Sequence, residues 1–261
     1  MVLRLIPLKI PTIAELGLPK VFQQLCHYQK GLVLVTAATG SGKSTTLAAM
    51  VDYINKHMPK HIITIEDPIE FVHQDHKSVL SQREVGIHTL DFNRGLKAVL
   101  REDPDVILMG EMRDRHTVNT ALQAAQTGHL VFGTLHTNSA VKTIDRILNM
   151  FEPYDQKLLL VQLPESLVAA IAQSLVRTTD SKRAAIHEIL LNTDTIKDFI
   201  RPREVEETEA PMKEGSFSGM CTMNQSIYNL YKSGHITKKT ALDPSPKRNE
   251  LDILIPSSGN L

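Results

Sequence analysis

Apolar residues along the chain gather into short, separated runs. Gly31-Leu32-Val33-Leu34-Val35-Thr36 is one, and its length and β-branched content predict a buried strand. A Gly/Ser turn follows. Leu47, Met50, Val51 and Ile54 then recur at i, i+3, i+4 and i+7, which marks one face of a helix. The alternation repeats downstream. His61-Ile62-Ile63-Thr64-Ile65 reads as a strand ending in acids, and Val106-Ile107-Leu108-Met109 as another, followed by Gly110-Glu111. Val118, Ala121, Leu122 and Ala125 make a second helical stripe, and residues 129–135 a further strand. Strands alternating with helices predict an α/β fold, a mainly parallel sheet between two helical layers. Such sheets carry their chemistry at the carboxyl ends of the strands.

Elsewhere the pattern is weaker. Residues 1–15 are expected to be extended, broken by Pro7 and Pro11, with a short helix after Pro19. Beyond residue 180 the periodicity fades. Residues 201–219, rich in Pro, Glu, Gly and Ser, predict a mobile loop. Residues 222–242 read as helical, with Ile227, Leu230 and Tyr231 sharing a face, and roughly the last 20 residues as a poorly ordered tail.

Composition narrows the function. The 261 residues are 42% hydrophobic, enough for a core, so wholesale disorder is excluded. Lys and Arg (29) balance Asp and Glu (29), and aromatic residues are only 5%, which argues against a nucleic-acid partner. Cys26 and Cys221 are too few for a disulfide framework or a four-cysteine zinc site. No apolar run nears the roughly 20 residues of a membrane span. The first residues lack a signal-peptide core, so a cytoplasmic protein is expected.

Candidate chemistry starts at the turn after the first strand. Thr39-Gly40-Ser41-Gly42-Lys43-Ser44-Thr45 lies between strand and helix, the context of a phosphate-binding loop. Gly40 and Gly42 let backbone N–H groups turn inward around phosphate oxygens, and the helix N-terminus adds its positive dipole end. Lys43 is placed to reach the β- and γ-phosphates, and the Ser44 hydroxyl to ligate Mg²⁺. The usual loop begins with Gly where this chain has Ala37; a positive φ there would weaken nucleotide binding. Glu111, at the end of an apolar strand, is the candidate for orienting the attacking water. Glu66-Asp67-Pro68-Ile69-Glu70 ends the neighbouring strand and reads either as part of the same site or as a charged turn. His129 and His136 bracket one strand. Their odd spacing puts them on opposite faces unless the strand stops before His136. Each reads equally as a phosphate-state reporter or as a hydrogen-bonded structural histidine. Asn55-Lys56-His57-Met58 lacks the Asp of a guanine-reading Asn-Lys-x-Asp motif, which argues against a GTPase.

These blocks together resemble the secretion ATPase superfamily, and within it the PilT-type ATPases that retract type IV pili. The resemblance spans residues 3–191 and returns more weakly over 219–251. It rests on the phosphate loop (39–46), an Asp box (63–71), a Walker B block (100–114) and a His box (127–140), with Ser81-Gln82-Arg83-Glu84-Val85-Gly86 matching between them. It implies a RecA-like, hexameric ATPase using ATP and Mg²⁺ at subunit boundaries. In that reading Glu111 activates water, Glu66 supports the site, and His129 and His136 couple phosphate state to neighbouring subunits. The chain would act as a homo-oligomer or beside a full-length relative, pulling on a pilus platform protein at the inner membrane face. The division expected is residues 1–15 as the remnant of an N-terminal PAS-like domain with its linker, 16–200 as the ATPase domain, and 201–261 as loop, helical region and tail. Departures are Ala37-Ala38 for Gly-Pro, Gln126 for an acid, and Thr195-Ile196-Lys197-Asp198-Phe199-Ile200-Arg201-Pro202 in place of the family's Ala-Ile-Arg-Asn-Leu-Ile-Arg-Glu. They leave open the alternative of a hydrolysis-poor, nucleotide-binding regulatory subunit.

Overall fold

The computed structural model describes residues 9–255. Its elements run α1 (Val21–Leu25), β1 (Gly31–Ala37), α2 (Lys43–His57), β2 (His61–Glu66), β3 (Val79–Glu84), α3 (Phe92–Val99), β4 (Val106–Met109), α4 (Arg115–Thr127), β5 (Leu130–Leu135), α5 (Ala140–Leu148), α6 (Pro153–Ser166), β6 (Leu167–Arg177), β7 (Arg183–Leu191), α7 (Asp194–Ile200), α8 (Glu209–Glu214), α9 (Met223–Lys232), α10 (Lys238–Leu242) and α11 (Arg248–Leu254). The seven strands form one sheet in the order β3-β2-β4-β5-β1-β6-β7. All pairings of neighbouring strands are parallel except β6 with β7, which is antiparallel. The expected α/β architecture is therefore the one observed.

Alternation along the strands builds a core on each face. Leu32 and Leu34 of β1 join Ile63, Ile65, Ile107 and Val131 in one cluster, covered by apolar residues of α3 to α6. Val33 and Val35 point the other way and join Phe132 and Leu108 against Leu47, Met50, Val51 and Ile54 of α2. The predicted helical stripe is thus the buried face of α2. The stripe Val118, Ala121, Leu122 and Ala125 is likewise the buried face of α4. Helix starts have chemical causes: Asp114 accepts from the His116 and Thr117 amides at α4, and Thr222 with Gln225 makes a capping box at α9.

The carboxy-terminal part departs from expectation. Residues 201–219, read as a mobile loop, carry two short 3₁₀ turns and α8, with Val205, Thr208 and Met212 buried. Arg203 ties the segment back to the body by donating to Gln156 Oε1 and Asn149 Oδ1, each at 2.8 Å. Residues 222–242 form two helices, α9 and α10, where one helical stretch was expected. The expected tail includes α11, whose Leu251 is buried, as is Ile255. The proposed remnant Leu3-Arg4-Leu5-Ile6-Pro7 lies outside the described residues. Met212 is 1% exposed, so Met212→Ala should cost about 2 kcal/mol, the low end for truncating a buried Met. The urea midpoint measures this, and an unchanged midpoint would restore the loop reading.

Candidate active site

Three loops meet at the carboxyl ends of β1, β4 and β5. The first is the turn from β1 into α2. Gly40 has φ +80° and Gly42 φ +79°, the left-handed region that L side chains rarely adopt. A Cβ on Gly42 would also sit 3.2 Å from Gln173 Nε2. Gly42 is the N-cap of α2 and makes no side-chain cap bond, so no capping side chain occupies the mouth of the helix, where anions bind. Ala37 is the last residue of β1 and is absent from the positive-φ positions, so the anticipated cost of lacking Gly there does not arise. Gly42→Ala is therefore expected to weaken ADP binding about tenfold, given a cost of roughly 1–2 kcal/mol for left-handed backbone, whereas Ala37→Gly should leave it unchanged. Isothermal titration of both variants checks this pair of outcomes.

The second loop follows β4 and carries Glu111. Its carboxyl meets the Arg113 guanidinium at 2.6 Å and His136 Nε2 at 3.2 Å. Burial works against ionisation of Glu111, but the hydrogen bond and charge of Arg113, with the charges of His136 and Lys43, outweigh it and hold its pKa below the usual carboxylate value. The third loop follows β5 and carries His136, since the strand ends at Leu135. Thr134 of β5 donates to the Gly110 carbonyl, and Met112 N–H to the Thr134 carbonyl at 2.9 Å, so the second and third loops are tied together.

Lys43 sits between these loops. Its ammonium donates a long 3.5 Å bond to the Leu135 carbonyl. Burial lowers its pKa, and the charges of Glu111 and Glu70 pull it back up. Ser44 Oγ donates to Glu70 Oε1 at 3.1 Å. Lys43 and Ser44 line a small cavity together with Glu66, Asp67, Glu70 and Glu111. Burial raises the pKa of Glu66 despite bonds from Thr64 Oγ1 (2.6 Å) and Gln82 Nε2 (3.0 Å). A second, open cleft of about 500 Å³ lies between Ala38-Thr39 and His136-Thr137-Asn138, within the roughly 300–1,000 Å³ usual for small-ligand sites.

Of the predicted residues, the turn from Thr39 to Thr45, Glu66, Glu111 and His136 converge here. His129 does not. It precedes β5 at the strand's amino end, where its Nδ1 is 2.6 Å from the Pro104 carbonyl. A six-residue strand separates it from His136, roughly 20 Å. The strand that connects the two histidines holds them apart, so His129 does not join His136 at this site within the subunit. Sequence reasoning gave no role to Arg113, although it lies in the Walker B block, nor to Gln173, which has no local motif around it.

The family model described as Type II/IV secretion system protein matches residues 3–238. The chain belongs to the type II/IV secretion system protein family. Among family members, it is 50% identical over 241 residues to a twitching motility protein of Neisseria gonorrhoeae, covering 92% of this chain and 64% of that protein. It is 48% identical to the type IV pilus retraction ATPase PilT of Pseudomonas aeruginosa, covering 92% of this chain and 70% of PilT. A crystal structure of the pilus retraction motor PilT with bound ADP superposes with a TM-score of 0.90 at 48% identity, over 96% of this chain and 71% of that one. The chain thus spans about two thirds of the length of these relatives. The fold is that of a RecA-like secretion ATPase. Among the described residues no helix is long and apolar enough to cross a membrane.

Proposed function

We propose that this chain binds ATP with Mg²⁺ and hydrolyses it as the motor part of a type IV pilus retraction ATPase. The observation that carries this reading is the convergence of Lys43, Ser44, Glu111 and His136 on one glycine cradle at the strand ends. The backbone amides at the start of α2 would bind the phosphates, and Lys43 would lie against the β- and γ-phosphate oxygens. The donor set suits Mg²⁺: hard oxygens from Ser44 and the acids beside it, few enough that phosphate and water complete the shell. Bound there, the ion would neutralise charge on the phosphate oxygens.

The two acids have separated roles. Environments that push paired carboxyls apart mark the base and its support. Glu111 is held ionised and is the group to take the proton of the attacking water. Arg113 and His136 hold its carboxylate in place. Glu66, harder to ionise, braces the neighbouring strand end through Thr64 and Gln82.

The similarity to PilT supports extending the reading to a hexamer that pulls on a pilus platform protein, peripheral to the inner membrane. Steady-state phosphate release from ATP tests the hydrolytic claim, on the purified chain alone and mixed with a full-length relative. Turnover that single-stranded DNA does not stimulate is expected. No turnover in either setting would overturn the proposal.

A further inference from the structure

Behind the two loops of the open cleft lies a pair of adjacent residues on β7. His187 and Glu188 are 2% and 9% exposed, and as neighbours on a strand they face opposite sides of the sheet. On one side His187 Nε2 lies 3.1 Å from Oε1 of Gln173, its cross-strand partner on β6, itself 3% exposed. The same oxygen accepts from Thr46 Oγ1 at 2.8 Å, and Gln173 Nε2 donates to the Ser41 carbonyl at 2.8 Å. The Ser41 carbonyl requires a donor, which fixes the amide orientation. The Gln173 oxygen can only accept, so His187 must carry its proton on Nε2. Burial pushes the His187 pKa down to about 4, which keeps the ring neutral. On the other side Glu188 Oε1 accepts from Ser139 Oγ and from the Ala140 amide, both at 2.7 Å, at the start of α5 just after the His136 loop. β7 is in turn fixed from behind: the His187 amide donates to Ser226 Oγ of α9 at 3.0 Å.

We propose that His187 and Glu188 form a two-sided clamp that positions the walls of the nucleotide cleft: His187 holds the phosphate loop through Gln173, and Glu188 holds the His136 loop through Ser139 and Ala140. These are positioning residues, since none of them lines the cleft. The two sides should therefore affect different steps. The phosphate-loop side sets nucleotide affinity. The His136 side sets turnover, because His136 contacts Glu111.

The inference rests on the ATP-hydrolysis reading. Its test uses the full chain, with ADP affinity from titration and kcat from phosphate release. Gln173→Met, close in shape but unable to hydrogen-bond, is expected to raise the ADP Kd about tenfold with kcat within about twofold. Glu188→Met is expected to lower kcat about tenfold with the ADP Kd within about twofold, and Glu188→Gln, which keeps an accepting oxygen, to restore kcat to within about threefold of wild type. Should either Met variant fail to fold, His187→Phe and Ser139→Ala remove one bond from each side and should show the same split at about threefold. Wild-type affinity in the Gln173 or His187 variant, or equal changes in Kd and kcat on both sides, would overturn the clamp. A wild-type chain that binds ADP without turnover would sink only the hydrolytic reading, and the Gln173 titration would still decide the inference. A chain that binds no ADP would overturn both.

Discussion

Glu111→Gln is expected to lower kcat by about 10²–10⁴-fold, the range for loss of a positioned general base, while the ADP Kd stays within about twofold. The amide matches the carboxylate in shape and still offers an oxygen to Arg113 and His136, which now hold the carboxyl at 2.6 and 3.2 Å. What it loses is the capacity to accept a proton. The step affected is therefore chemistry and not binding, and kcat and kcat/KM should fall together. The pH profile carries a second sign. The folded-state pKa of Glu111 lies below the ordinary carboxylate value, because Arg113, His136 and Lys43 together outweigh the opposing effect of burial. The base is then in its active, ionised form above that depressed value, and turnover is lost only as pH falls through it. On account of Glu111 alone, kcat should stay level from about pH 8 to pH 6 and decline only in more acidic solution. Phosphate release across this range measures both effects. A Glu111→Gln enzyme within about threefold of wild type would remove Glu111 from the mechanism.

The same residues show why some of the fold was legible in the sequence and some was not. β1, β2, β4 and β5 are buried on both faces, so they stand out as continuous apolar runs bounded by turn residues. β6 does not. It begins at Leu167 directly after α6 ends at Ser166, with Pro164 inside the last helical turn and no turn residues between the two elements, and its Leu-Val-Ala-Ala-Ile-Ala run suits a helix as well as a strand. Residues 201–219 have loop composition, yet burial of Val205 and Met212 overrides it, a tertiary effect that composition does not record. Spacing left the faces of His129 and His136 undecided because the answer turned on whether the strand stopped at Leu135. Gln173, His187 and Glu188 show the limit most clearly. Each is a polar residue interrupting an apolar strand, and its partners come only with the tertiary fold: Gln173 lies opposite His187 in the β6–β7 register, and Glu188 meets Ser139 and Ala140 at the start of α5. The phosphate loop was readable because its chemistry is local. Its support was not, because that support arrives from 127 and 132 positions away in sequence.

Lys43→Met should weaken ATP binding by at least about 100-fold while leaving the stability of the nucleotide-free chain unchanged or slightly higher. Two terms set the binding loss. A charge-assisted hydrogen bond to phosphate contributes roughly 1.5–3 kcal/mol, which alone is about ten- to a hundredfold. The second term is the field left behind. Lys43 lines a cavity that also holds Glu66, Asp67, Glu70 and Glu111, so its removal leaves an acid-lined mouth that repels the polyanion. The stability expectation follows from the direction of the Lys43 pKa. Burial lowers it, and the attraction of Glu111 and Glu70 does not fully compensate. A cation whose folded-state pKa is depressed opposes folding while it remains charged, so an unbranched apolar side chain in its place removes a cost. Lys43 is in this sense held ready for an anion that the protein itself does not supply in full. Lys43→Arg should not rescue binding, because a planar guanidinium cannot take the place of a compact ammonium at the end of a flexible stem. Nucleotide titration combined with thermal melting of the nucleotide-free variants separates the two effects. A melting point that fell in parallel with affinity would make Lys43 a structural residue and would withdraw it from the phosphate site.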